Sequence, residues 1–386
     1  MAHIRFRVLL ISIVFIGLIA FPFVNQKLTL VKDIENTENR QAVAKPDFDI
    51  HHLDAYPSNF DKYYSDNFSI RQILIKQFNQ LNLVVFKKSP LPDKVVIGKE
   101  NWIFMGDNEV DSYQGKHRLN THEMESMRIE LEYRKQYLES KGCKFYFLIA
   151  PVKANIYPEF MPMNLFRFNK QSWGEQLIEY LNTNSEVKPI DIYDPLRQNK
   201  RHGLMYHKLD NHWNKKGAFF AAQEVLNSIG KDISNVGTLS YSDYIIVDSI
   251  SRKGNLTSML SNTELFTDSI FEITPKDGFK SADHKKVGYP VISGFPYPWE
   301  YEFVREIPNS NKPKILIISD SYGANIFPYI AEGFSRSVKI FDSWQYKLNE
   351  DIVKSENPDV FLLIVLESNI RNLLNFQSNP NKSQVK

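Results

Sequence analysis

The sequence predicts an α/β fold in which a mostly parallel sheet is flanked by helices, and three observations carry that reading. Strand-like and helix-like stretches alternate through most of the chain after residue 123, the pattern left by parallel strands joined through crossing helices. The strand-like stretches KFYFLIA (144–150), KILIIS (314–319) and VFLLIVL (360–366) are apolar through their centres without alternation, as strands covered on both faces must be. From about residue 238 to residue 310 the rhythm breaks into short β-like pieces with prolines and glycines, which reads as a strand-rich insertion.

In chain order, His3, Arg5 and Arg7 precede an apolar run, 8–24, interrupted by Ser12, Gly17 and Pro22. About 17 apolar residues reach the lower end of what crosses a bilayer as a helix. The exit, Ala20-Phe21-Pro22-Phe23, offers no small-x-small cleavage site, so residues 1–24 are expected to remain as a transmembrane anchor or signal-anchor. Basic residues before the run favour a cytoplasmic amino terminus. The expected location is therefore the inner membrane, single-pass, with the remainder in the periplasm or otherwise extracytoplasmic.

Residues 25–55 are polar and aperiodic and read as a tether. Apolar residues return at helical spacing over 58–86, predicting one or two amphipathic helices. Residues 94–98 and 102–106 predict two short strands around a Gly-Lys-Glu-Asn turn. A charged helix is expected over 123–141, ending at Gly142, then the strand 144–150 and a loop over 151–162. Helices at 170–181 and 216–229 bracket a strand at 190–193. After the insertion come the strand 314–319, a helix 324–334, a strand 338–341, a helix 349–355 and the strand 360–366. The main domain is thus expected over 56–376, with a disordered tail at 377–386.

Composition narrows the function classes. Of the 386 residues 42% are apolar, normal for a globular chain, and the formal charge is +2 with basic and acidic residues intermixed, so nothing supports nucleic-acid binding. Aromatic residues make up 13%, which suits either a core or a sugar-stacking groove. Cys143 is the single cysteine, which removes intrachain disulfides, cysteine-based zinc sites and CxxC redox pairs.

Two segments can carry chemistry. In Ile317-Ile318-Ser319-Asp320-Ser321-Tyr322-Gly323 a buried strand runs into a turn and then a helix. Such a turn exposes a serine at the carboxyl edge of a parallel sheet, beside a helix amino terminus able to stabilise an oxyanion. The same Ser and Asp residues also serve as helix caps. In Leu209-Asp210-Asn211-His212-Trp213-Asn214 a D-x-H spacing can bring a base and its orienting carboxylate to one edge. A hydrogen-bonded structural histidine explains the triplet equally well, and His207, Asp210 and His212 also permit a metal site, although none is assigned.

Together with Ala150-Pro151-Val152-Lys153-Ala154-Asn155-Ile156-Tyr157-Pro158-Glu159, Tyr63-Tyr64-Ser65-Asp66-Asn67-Phe68-Ser69-Ile70-Arg71 and Val96-Ile97-Gly98-Lys99-Glu100-Asn101-Trp102-Ile103-Phe104, these segments form five ordered blocks. The set resembles the alginate O-acetyltransferase AlgX/AlgJ family and its DHHW relatives. The resemblance implies an SGNH-hydrolase-like domain with the Asp-His pair ahead of the serine. It also implies an envelope protein that O-acetylates an exopolysaccharide beside a multispanning membrane acyltransferase supplying the acetyl group, with no cofactor. By position it makes Ser321 the nucleophile, His212 the general base and Asp210 its orienting carboxylate. Two positions depart from the pattern: Ser319 stands where a glycine is often found, and Asn211 replaces the motif's first histidine.

The backbone N–H of Tyr322 is an expected oxyanion donor. Lys153, Asn155 and Tyr157 either contact the oxyanion or a sugar hydroxyl or pin their own loop. The same triad would also serve a polysaccharide deacetylase or esterase, and a non-catalytic polysaccharide-binding subunit would keep the fold.

Overall fold

The computed structural model describes residues 2–34, 42–50 and 54–380; parts of the expected tether and residues 381–386 of the expected tail lie outside them. The chain folds into two compact units. One comprises the residues up to Val95 together with Lys253–Phe266, and the other comprises Val96–Arg252 with the chain from Thr267 onward.

The amino-terminal unit is helical. Its first helix, Ala2–Leu28, contains the expected apolar run. The amphipathic stretch forms two helices, Tyr56–Asn67 and Arg71–Val84. They are separated at Ile70, which sits in the left-handed region at φ 65°, a conformation a β-branched residue adopts only in a tight break.

The second unit is built on a six-stranded sheet. Strands β1 (Val95–Ile97) and β2 (Ile103–Met105) form the expected hairpin. Next come β3 (Lys144–Ala150), an antiparallel pair β4 (Tyr244–Ser251) and β5 (Asp268–Pro275), and β6 (Ala282–Asp283) and β7 (Glu302–Glu306). The remaining strands are β8 (Lys314–Ser319), β9 (Arg336–Phe341) and β10 (Val360–Leu366). The large sheet has the order β3-β10-β8-β9-β7-β6. Its first four strands are parallel, whereas β7 and β6 extend it antiparallel. All seven residues of β10 are buried, because strands pair with it on both sides and helices cover both faces.

Helices Thr121–Glu139, Trp173–Asn184, Lys215–Gly230, Gly323–Ala331 and Glu350–Glu356 occupy the expected stretches within a few residues. Two begin at capping boxes, Asn120 with Glu123 and Ser172 with Glu175, in which each partner satisfies an otherwise orphaned N–H. Two expectations are corrected. The strand expected over 190–193 is a single parallel bridge, Leu148↔Ile190, and Tyr193 instead opens the helix Tyr193–Asn199, because Asp191 accepts the Tyr193 N–H at 2.9 Å and turns the chain. The segment 238–310 is not wholly an insertion, since β6 and β7 complete the main sheet. At the carboxyl end, Ser378 is held by Glu130 through its N–H at 2.6 Å.

Candidate active site

Strand β8 lies between β10 and β9, and its carboxyl end delivers Ser319, Asp320 and Ser321 to the edge where open α/β sheets place their ligands. Ser319 and Asp320 are fully buried while Ser321 is half-exposed. Asp320 fixes the turn. Its Oδ1 accepts the Tyr322 N–H at 2.8 Å, and its Oδ2 accepts the Leu366 N–H and the Tyr346 hydroxyl, each at 2.7 Å. The end of β8 is thereby tied to the end of β10. Burial raises the Asp320 carboxyl above its usual range, against the lowering effect of those donors and of His212. Gly323 begins the helix because a Cβ there would collide with the Oγ and Cβ of Ser319.

The Asp-His pair sits in a narrow loop closed by the antiparallel bridge Tyr206↔Trp213 and by the His207 N–H on the His212 carbonyl at 3.2 Å. Asp210 Oδ1 accepts both the His212 backbone N–H at 3.0 Å and the ring Nδ1 at 2.7 Å. The opposite ring nitrogen, Nε2, lies 2.8 Å from Ser321 Oγ. With a carboxylate on Nδ1, that nitrogen carries the ring proton and Nε2 presents a lone pair to the serine hydroxyl. Burial disfavours the His212 cation, but the hydrogen bond and charge of Asp210, with Asp320 and Glu109, hold the imidazole above its ordinary pKa.

Tyr322 and Trp213 join the two segments. The Tyr322 hydroxyl donates to the Asn211 carbonyl at 2.7 Å, Trp213 Nε1 donates to the Tyr322 carbonyl at 3.1 Å, and the Tyr322 ring packs 4.9 Å from the His212 ring. Asn214 then caps the helix Lys215–Gly230 through Lys216 and Gly217. The Tyr322 N–H, expected as an oxyanion donor, is already donated to Asp320, so the side chain and carbonyl of Tyr322 act as struts.

Lys153, Asn155 and Tyr157 are buried behind the site. Lys153 Nζ donates to the carbonyls of His207 at 3.0 Å, Lys208 at 3.1 Å and Asp210 at 2.6 Å, and also to that of Ile103. It gathers the loop that carries Asp210 and His212 onto β2. Asn155 Nδ2 donates to Glu367 at 2.9 Å, and the Tyr157 hydroxyl accepts the Met205 N–H at 2.8 Å. The geometry brings Asp210, His212 and Ser321 together and sets Lys153, Asn155 and Tyr157 as supports of the surrounding loops.

Two buried carboxyls beside these supports were not singled out in the sequence. Glu109, on the helix Asp107–Gln114, is pushed up to about 7 by burial, against Lys153, His212 and a hydrogen bond from Asn211. Lys153 is pushed down to about 7 by burial, against Asp210, Glu109 and Asp268. Glu367 directly follows β10 and accepts from Ser112, Val152, Asn155 and Gly174 between 2.9 and 3.0 Å. A charge at the end of a wholly apolar strand was the available signal for Glu367. Glu109 sits in the polar segment DNEVDSYQ, which carries no such signal.

The chain is similar to several known proteins. Residues 95–276 match the family described as an SGNH hydrolase-like domain, acetyltransferase AlgX. Among curated proteins, the probable alginate O-acetylase AlgJ of Pseudomonas syringae pv. tomato is 25% identical over 212 residues, 54% of this chain and 51% of that protein. The protein of the same description from Pseudomonas aeruginosa is 23% identical over 273 residues, 69% and 64% of the two chains. The chain thus spans about half the length of the first of these relatives. In fold it is similar to Bacillus cereus PatB1, solved with a sulfonyl adduct, at a TM-score of 0.52 and 20% identity over 72% of this chain and 97% of that one. A DHHW family protein from Eubacterium siraeum gives a TM-score of 0.50 at 14% identity over 73% and 98%. Residues 95–276 are thus similar in sequence to the SGNH hydrolase-like AlgX acetyltransferase domain, and the fold is similar to that of PatB1 and the DHHW family protein.

Proposed function

We propose that the chain is a polysaccharide O-acetyltransferase working through an acetyl-Ser321 intermediate. The observation that carries the reading is the continuous relay from Asp210 through His212 to Ser321, with contacts of 2.7 and 2.8 Å, at the carboxyl edge of a parallel sheet. The family match and the names of the alginate O-acetylase relatives support the acetyl group and the polysaccharide.

In the first half-reaction Ser321 Oγ attacks the acetyl carbonyl as His212 Nε2 takes the hydroxyl proton. Collapse of the tetrahedral adduct breaks the bond to the donor's leaving group, which receives that proton. In the second half-reaction a sugar hydroxyl gives its proton to Nε2 and attacks acetyl-Ser321, releasing the acetylated sugar and regenerating the serine. Asp210 keeps the ring in one tautomer and stabilises the transient imidazolium. The amino end of the helix Gly323–Ala331 favours the negative charge that develops on the carbonyl oxygen.

The helix Ala2–Leu28, with 23 residues from Phe6 long and apolar enough to span a bilayer, supports anchoring in the inner membrane. Arg5 and Arg7 before the run support a periplasmic catalytic unit. A multispanning membrane acyltransferase is the proposed source of the acetyl group, in keeping with the family resemblance. Incubation with p-nitrophenyl acetate should add one acetyl mass to the peptide containing Ser321, and Ser321→Ala should lose both the adduct and ester turnover while keeping its fold. Undiminished turnover in that variant overturns the reading. Adduct formation with hydrolysis but no transfer to an oligosaccharide acceptor reassigns the chain as an esterase.

A further inference from the structure

The helix Arg71–Val84 of the amino-terminal unit is built inside out for a soluble protein. Its buried positions are Gln72, Asn79 and Leu83, with Asn79 Nδ2 donating to the Leu260 carbonyl at 2.8 Å in the same unit. Its outer face presents Leu74, Phe78 and Leu81, continued by Val85 beyond the helix end, at 47, 60, 47 and 62% exposure. The spacing i, i+4, i+7, i+11 makes these residues one stripe. Val84 and Phe86 widen it, at 45 and 57%. A water-facing helix normally shows the opposite arrangement.

Three further observations select what covers the stripe. Residues 71–88 contain no acidic residue; Arg71 and Lys76 pair with Asp66 at 3.8 Å and Glu264 at 2.7 Å, while Lys87 and Lys88 follow the apolar stripe, as at the edge of a helix lying on an anionic surface. The helix is also clamped to the exit of the apolar helix Ala2–Leu28. Asn25, near that helix's end, donates to Ser69 Oγ at 2.6 Å and to the Val31 carbonyl at 2.8 Å, and Asp33 accepts the Gln72 and Ile73 N–H groups at 3.3 and 3.2 Å. The contact is bordered by aromatic rings: Phe23 stacks on Tyr64 at 5.3 Å, and Tyr64 neighbours Phe60 and Phe68. Tyrosine side chains, such as Tyr64 here, gather at the level of lipid headgroups.

We propose that the helix Arg71–Val84 and the residues through Lys88 lie in the headgroup region of the same bilayer that Ala2–Leu28 crosses. The Leu74, Phe78, Leu81 and Val85 side chains enter the lipid, and Lys87 and Lys88 meet anionic headgroups. The proposal rests on the reading of Ala2–Leu28 as a retained membrane span.

The test uses the full chain in vesicles of phosphatidylethanolamine and phosphatidylglycerol, on a Cys143→Ser background. Single cysteines at Phe78, Leu81 or Val85 carry a nitroxide, and collision with oxygen, which partitions into lipid, is compared with collision with a water-soluble nickel chelate. Labels at Leu18 and Asp283 serve as lipid and water references. Oxygen is expected to dominate at all three stripe positions, as at Leu18, and nickel at Asp283. Nickel dominance at the stripe with oxygen dominance at Leu18 rejects the lipid contact while the anchor stands. Protection from both quenchers at the stripe also rejects it and marks the face as a protein contact. A water-exposed Leu18 removes the anchor and the proposal together.

Discussion

An imidazole between Asp210 and Ser321 can take the serine proton only when it is neutral and only in the tautomer with hydrogen on Nδ1. The sign of the pH dependence follows from His212, whose pKa is raised: its protonated form is favoured, and activity is lost as pH falls through that raised value. The ascending limb of kcat/KM for p-nitrophenyl acetate should therefore centre above the ordinary histidine value of about 6.5. Asp210→Asn removes the carboxylate whose hydrogen bond and charge raise the His212 pKa, so whatever limb remains should move to lower pH. An amide there also allows the wrong tautomer, so kcat should fall by about 10⁴, the cost of the analogous change in a serine protease. A normal rate in that variant would contradict the assigned role of Asp210. The juxtaposition of these residues was legible because its geometry is local: D-x-H holds Asp210 and His212 within one loop, and strand-turn-helix exposes Ser321. The direction of Lys153 was not legible, since the same loop residue can face a groove or a carbonyl cluster, and only the fold brings the carbonyls of His207, Lys208 and Asp210 to it.

The turn after β8 depends on two small residues sharing one space. Ser319 fits because Gly323 leaves room for its side chain, and Ser319 Oγ has no hydrogen-bond partner among the described residues. Gly323→Ala should thus destabilise the fold by about 1–3 kcal/mol through overpacking and displace Ser321 from His212. Ser319→Gly in the same chain removes the colliding atoms without breaking a hydrogen bond. The double variant should recover part of both the urea midpoint and the turnover, because the two positions are coupled; additive losses would show that the collision is relieved elsewhere. Elements of the parallel sheet were readable in advance because a strand buried on both faces writes a continuous apolar run, as in β3 and β10. The piece at 190–193 was misread because its apolar alternation suits a strand while Asp191 turns the chain into a helix.

At the scale of the whole molecule, the amino-terminal unit borrows the segment Lys253–Phe266 from the middle of the chain. The antiparallel pair β4/β5 ends where Ser251 faces Asp268, and the chain between them carries Leu256 and Leu260, both fully buried, and Phe266, nearly so. No local pattern announces this exchange, because it depends on which distant helices those side chains meet. Asp210, His212 and Ser321 all lie in the other unit, as does every hydrogen bond drawn around them. Removing residues 1–93 should therefore leave the relay intact but strip the cover from Leu256, Leu260 and Phe266, giving an aggregation-prone protein. Replacing 252–267 with a two-residue Asn-Gly turn closes the β4/β5 hairpin directly from Ser251 to Asp268. It also keeps Asp268, whose carboxylate accepts the Lys208 N–H at 2.8 Å beside the base loop. This shortened chain is expected to run as a monomer in gel filtration and to hydrolyse p-nitrophenyl acetate within about threefold of the full chain, a change of roughly 0.65 kcal/mol in barrier. If it is monomeric but inactive, the amino-terminal unit contributes to the chemistry itself. If the unshortened truncation is already monomeric and active, the apolar side chains of the borrowed segment have another cover.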